Sequence, residues 1–160
     1  MHLKIIYFFI VFYFSLNVKP YAQDTIKVYK YNGIYQTENN GKEFKLKSDS
    51  TQVFKADTIS FISIQRFKEV SISFDYDNHP TLAVKLDELG KEKFTRLTEN
   101  NIGKPFAFII NDKLYTAPMV NAKIPNGTFV ISGFGTMAEL EKLKRLINAI
   151  QLRTSKEKID

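Results

Sequence analysis

The chain has no cysteine. That excludes a disulfide framework, a thiol nucleophile, a cysteine-based metal site and a lipid-anchored N-terminal cysteine. Histidine is scarce as well, with His2 and His79 the two present. No histidine pair is therefore available for a relay or a metal site. Lysines are common but interspersed with acids, and no run of five or more bases occurs. Such a pattern describes a solvated surface rather than a nucleic-acid footprint. Only one long apolar run exists, residues 5–16 (IIYFFIVFYFSL).

That run is shorter than the roughly 20 apolar residues needed to span a bilayer. Preceded by His2 and Lys4 and followed by residues 19–23 (KPYAQ), it has the build of a signal peptide. Cleavage after Ala22 gives a chain beginning at Gln23. Pro20 at the −3 position departs from the small-x-small rule, so an uncleaved anchor stays open beside the cleaved leader. Either way the chain is expected outside the cytoplasm, periplasmic or secreted. Removal of residues 1–22 takes Lys4 and Lys19 with it, and the net charge falls from +6 to +4. With 44% hydrophobic and 25% charged residues, the remainder is globular in composition and long enough for one domain with its own core. Without disulfides, that core must hold it together.

Residues 23–57 form a first unit. Residues 26–31 alternate apolar and basic side chains, and Asn32-Gly33 separates them from residues 34–38. Asn-Gly between alternating runs predicts a type I′ hairpin. Residues 39–42 (NNGK) form a second turn before residues 43–47, and 48–51 is a polar loop before a short strand. The main domain is expected over residues 58–152, with 153–160 as a charged, frayed tail.

Within it, residues 58–64 and 70–76 (VSISFDY) read as strands. Val70, Ile72, Phe74 and Tyr76 alternate with polar residues, which favours an antiparallel sheet wet on one face. Residues 77–80 turn, and 81–86 return with Leu82, Val84 and Leu86 inward. A helix follows over residues 87–100, capped by Asp87, with Leu89, Phe94 and Leu97 as its apolar stripe. Residues 106–110 and 113–116 form a hairpin about Asn111-Asp112, ended by Pro118. Asn126-Gly127 turns into residues 128–132. Thr136 and Glu139 then form the capping box of a last helix carrying Leu140, Leu143, Ile147 and Ile150. The expected class is α+β: a mostly antiparallel sheet with two helices on one face, a ferredoxin-like variant preceded by the N-terminal hairpin.

Chemistry finds little to stand on. Residues 133–138 (GFGTMA) match a dinucleotide fingerprint, but none of the residues after the last helix reads as the parallel strand that fold needs, so the glycines are expected to serve a strand-to-helix turn. Residues 75–78 (DYDN) resemble the start of a calcium loop, yet Pro80 and Leu86 fall where Gly and Glu are required. His79 sits in a turn before proline with no evident nucleophile. No catalytic residue, cofactor or metal ligand is assigned.

A family resemblance rests on a larger set of residues: Leu86-Asp87, Gly90, Phe94, Thr98, Asn101, Gly103-Lys104, residues 107–110, Thr116-Ala117-Pro118, Ile124, Gly127, residues 131–134 and Leu140. In this order they resemble the head subdomain of the first periplasmic domain of SecD/SecDF, a membrane subunit that assists protein export. The likeness covers residues 82–146. It implies that Phe94, Thr98, Asn101, Gly103, Lys104, Ala117, Pro118, Ile124, Gly127, Gly133 and Phe134 are structural or partner-binding positions. Asn111-Asp112 replaces the family's Asp-Gly turn, and residues 151–156 (QLRTSK) replace its small-residue exit toward a membrane span. The charged intramembrane residues that couple the family to proton flow have no counterpart in this sequence. The resemblance thus implies a fold, a location and contact with exported or unfolded polypeptides or an envelope protein. A binding module without catalysis, with Tyr29, Tyr31, Tyr35 and Phe44 as candidate contact aromatics, stands against two alternatives: an enzyme of unknown class using Asp75, Asp77 and His79, and a small structural protein with no transport role.

Overall fold

The computed structural model describes residues 29–133 and 135–156. The leader and its cleavage site lie outside the described residues. In order, the elements are β1 (Gly33–Lys45), β2 (Val53–Ala56), β3 (Ile62–Ser63), a 3-10 turn (Ile64–Arg66), β4 (Phe67–Phe74), β5 (Pro80–Leu86), α1 (Glu88–Asn100), β6 (Phe106–Ile110), β7 (Lys113–Thr116), β8 (Thr128–Ile131) and α2 (Met137–Lys156). The α+β class and the two helices are as expected. The strands divide between two antiparallel sheets: one ordered β2-β1-β6-β7, with β3 beside β1, and one ordered β4-β5-β8.

β6 explains how two cores arise from one chain. All five of its residues are buried. Successive side chains of a strand point to opposite faces, and here each face meets a different cluster. Phe106, Phe108 and Ile110 join the main core with Leu82, Val84, Phe94 and Leu143. Ala107 and Ile109 join a smaller one with Tyr31, Tyr35, Phe44 and Leu114. Ile34 and Tyr35 split the same way on β1. Phe94 is the anchor of α1, its ring 4.8 Å from Phe129 and 5.8 Å from Phe106. Its partner Leu89 was expected inside but is 42% exposed. Gly90 is buried instead, close enough to Arg66 that an added Cβ would lie 3.0 Å from the arginine Cβ.

The N-terminal unit folds differently from the local signal. Residues 29–32 form no strand, and residues 26–28 lie outside the described residues. Tyr31 and Asn32 dock instead on the β6–β7 turn. Tyr31 N–H donates to Asp112 Oδ1 at 2.6 Å, and Asn111 N–H donates to Asn32 Oδ1 at 2.8 Å. Gly33 lies so close to β3 that a Cβ there would stand 2.3 Å from the Ile62 carbonyl oxygen. The hairpin that does form joins β1 to β2 around residues 46–52. Residues 39–42 make an excursion within β1, since Thr37 and Lys42 both pair with Ala56. Gly41 permits it, because a Cβ there would meet the Ala56 carbonyl oxygen at 2.4 Å. Residues 58–61 carry no strand, and α2 continues through Lys156 where a frayed tail from Arg153 was expected. Gln151 secures that end by donating to the carbonyls of Ile64 and Phe67 at 3.0 and 2.6 Å.

Candidate functional site

The residues singled out by the family resemblance mostly act as joinery. Thr98, fully buried on α1, donates its hydroxyl to Phe94 O at 2.9 Å and accepts from Ile124 N–H at 2.9 Å. Thr95 Oγ1 reaches Ile124 O at 3.2 Å. Together they pin the loop between β7 and β8 to the helix. Asn101 caps α1, its side-chain amide donating to Leu97 O at 2.9 Å. Gly103 follows with φ of 81°, the left-handed conformation that favours glycine. Its N–H donates to Val120 O at 2.8 Å, Val120 N–H donates to Lys104 O at 3.0 Å, and Phe106 N–H donates to Pro118 O at 3.1 Å. Gly127 has φ of 66° and presses on Lys91, whose Cβ would lie 2.7 Å from an added methyl. Ala117 is half-buried beside Pro118, Gly133 faces open space, and Phe134 lies outside the described residues.

Gly103 and Lys104 differ from the rest by reaching an open groove of about 870 Å3. Its walls come from three elements: the β1 excursion at Glu38, the β2 residues Val53 and Lys55, and the segment ending at Pro105. Thr37 Oγ1 ties two of these walls together by donating to Pro105 O at 2.7 Å. One exposed apolar side chain lies in its lining, and two more belong to residues joined to the lining through the backbone. Val53 is 47% exposed, Ile102 next to Gly103 is 58%, and Met119, bridged to Pro105, is 54%. Lys55 pairs with Glu43 at 3.6 Å. The groove offers apolar edges with charges of both signs and no enclosed titratable group. It suits an extended, amphipathic ligand better than a reacting small molecule.

The acids near His79 do come together, but as a turn. Asp75 Oδ1 accepts from the backbone N–H groups of Asp77 and His79 at 3.0 and 2.8 Å, and Asn78 takes φ of 60°. His79 Nδ1 lies 3.5 Å from Asp75 Oδ2. The cluster stands at the tip of the β4–β5 hairpin beside a fully exposed Tyr76, and no cavity encloses it. Asp75 Oδ1 is thus already committed to the backbone.

Of the four candidate contact aromatics, Tyr29 is half-buried and lines a small cavity beside Lys47 and Glu139, and the other three are not on the surface. Tyr31, Tyr35 and Phe44 are buried, and the Tyr31 ring meets the other two edge-on at 6.0 and 5.2 Å. Burial pushes the Tyr35 hydroxyl up to about 12. These rings build the second core. The groove itself escaped the sequence reading because residues 39–42 look like a plain turn. The Asn-Asn-Gly-Lys run does carry a signal for it, since a glycine inside a strand marks a bulge.

Residues 36–154 match the family model described as SecDF, P1 head subdomain. That is more than half of the sequence, and the chain belongs to that family. Relatives are protein translocase subunits SecD. The one from Rickettsia typhi is 36% identical over 86 residues, covering 54% of this chain and 17% of the relative. The one from Calditerrivibrio nitroreducens is 33% identical over 81 residues, covering 51% and 16%. The chain thus spans about a sixth of the length of these relatives. Among solved structures, SecDF in its super-membrane-facing form superposes with a TM-score of 0.62 at 16% identity, covering 72% of this chain and 18% of that one. A second, of a membrane component SecDF that enhances protein export, gives 0.58 at 16% identity, covering 72% and 60%. At that identity the superpositions speak for the fold alone. No helix among the described residues is long and apolar enough to cross a membrane.

Proposed function

We propose that this chain is a non-catalytic binding module on the outer side of the cytoplasmic membrane that engages unfolded or translocating polypeptides during export. The observation that carries the reading is the open groove with its apolar flanks, in a chain whose family is named for a protein-export subunit. Exposed apolar surface beside a groove is what a protein keeps for a partner. Gly103, Lys104 and Pro105 contribute directly to the groove. Thr98, Asn101, Pro118 and Ile124 serve it indirectly, by hydrogen bonds that hold the segments on either side of Gly103 and Pro105, while Phe94, Ala117, Gly127 and Gly133 act elsewhere in the fold.

The test is equilibrium binding of the full chain, in detergent micelles, to reduced and carboxymethylated α-lactalbumin, which stays unfolded, and to the same protein native. Saturable binding of the unfolded form with at least tenfold preference over the native form supports the reading. Equal or absent binding of both overturns it. An envelope protein as partner is the second reading, favoured by the family's membrane relatives, and crosslinking in intact cells that captures such a protein but no exported chain would replace the first with it.

A further inference from the structure

The register of β1 on β2 decides which backbone groups of β2 are already used. Lys45, Phe44 and Glu43 lie opposite Val53, Phe54 and Lys55, and Leu46 N–H donates to Gln52 O at 3.0 Å. Hydrogen-bonded and non-bonded pairs alternate along an antiparallel ladder. Counting from the bonded pair Leu46–Gln52, Phe44–Phe54 is bonded, whereas Lys45–Val53 and Glu43–Lys55 are not. The N–H and C=O groups of Val53 and Lys55 therefore point away from β1.

β2 is the terminal strand of its sheet; just past its end Asp57 N–H, on the same outward side, donates to Gln36 O at 2.9 Å, and the pairing given for Val53 and Lys55 is to β1 on the inner side. Val53 and Lys55 both line the groove. Other edges are guarded in the ways natural sheets guard them. The outer edge of β7 meets Leu46 in a bridge, with Lys47 N–H donating to Leu114 O at 2.8 Å. β4 opens with a register shift at Phe67–Glu69 and exposes Lys68 and Glu69. β8 is only four residues long. An edge that presents four main-chain groups not used by β1 to a groove with apolar flanks specifies its ligand chemically: another backbone in extended form.

We infer that a foreign polypeptide binds by adding a strand to the outer edge of β2. Its main chain bonds the N–H and C=O of Val53 and Lys55, and alternate side chains rest on Val53 and the Ile102–Met119 rim. Main-chain pairing supplies affinity with little demand on sequence, which suits a module that meets many different exported chains. The inference rests on the polypeptide-binding reading above and adds its mode and place.

Amide hydrogen exchange of the 15N-labelled full chain, with and without saturating carboxymethylated α-lactalbumin, tests it. Exchange at Val53 and Lys55 is expected to slow at least tenfold, while Phe54 and Phe44, already bonded within the sheet, stay unchanged. Val53→Pro removes one outward N–H without touching the β1 ladder, and is expected to weaken binding at least tenfold. Val53→Ala is expected to weaken it less than threefold. If Val53→Pro fails to fold, the exchange measurement on the natural chain decides. Binding that leaves the Val53 and Lys55 amides unprotected overturns strand addition and leaves the polypeptide-binding reading standing. No binding at all overturns both.

Discussion

The Thr98 hydroxyl on α1 and the Ile124 backbone N–H on the loop before β8 form a 2.9 Å hydrogen bond across 26 positions of sequence. Through it, a residue invisible from outside controls the shape of a surface loop. Replacement of Thr98 by Val keeps the volume and removes the acceptor, leaving the Ile124 N–H without its partner. The expected loss is about 1–3 kcal/mol of stability, the cost of leaving a desolvated donor unmet. Urea denaturation of the full chain measures it, and limited proteolysis between β7 and β8 should quicken in the variant.

Gly103 and Gly127 both hold left-handed backbone, with φ of 81° and 66°, but in different surroundings. An added Cβ at Gly103 meets nothing within 4 Å, whereas at Gly127 it meets Lys91 Cβ at 2.7 Å. Gly103→Ala is expected to cost only the backbone strain of about 1–2 kcal/mol. Gly127→Ala adds displacement of α1 and is expected to cost clearly more. Thermal unfolding of the two variants side by side checks the order.

Tyr35 provides a pH prediction. Burial raises its hydroxyl from 10.0 to about 12, against a smaller opposing effect of the hydrogen bond from Asn32 N–H. The folded state keeps the proton after the unfolded state has lost it. Stability is therefore fully present below pH 10 and declines as pH rises from 10 toward 12. Ultraviolet titration at 295 nm should show a tyrosine that ionises near pH 12, and Tyr35→Phe should remove that component.

Local signals were legible where the contest was local. Thr136 and Glu139 make the expected capping box, with Thr136 N–H donating to Glu139 Oε2 at 2.8 Å and Glu139 N–H to Thr136 Oγ1 at 3.4 Å. Asn111 and Asp112 take φ of 49° and 61° in the β6–β7 turn. Alternation placed Leu82, Val84 and Leu86 correctly on the buried face. Where a distant strand competes, the local signal loses. Asn32-Gly33 reads as a hairpin, but pairing of Ile34 with Phe108 and of Tyr35 with Ala107 buries two core faces at once, a gain no two-residue turn can match. The groove was illegible for the same reason. Its walls come from residues near positions 38, 54 and 104, which no periodicity brings together.

The polypeptide-binding account is tested most directly in cells exporting an arrested chain, with a photoreactive amino acid placed singly at Lys55, Lys104 or Tyr76. Lys55 and Lys104 line the groove, and Tyr76 is a fully exposed control on the β4–β5 hairpin tip. Crosslinks to the arrested chain from the first two positions and not from the third are the predicted result. Crosslinks from Tyr76 as strong as those from the groove, or none from any position, would contradict it.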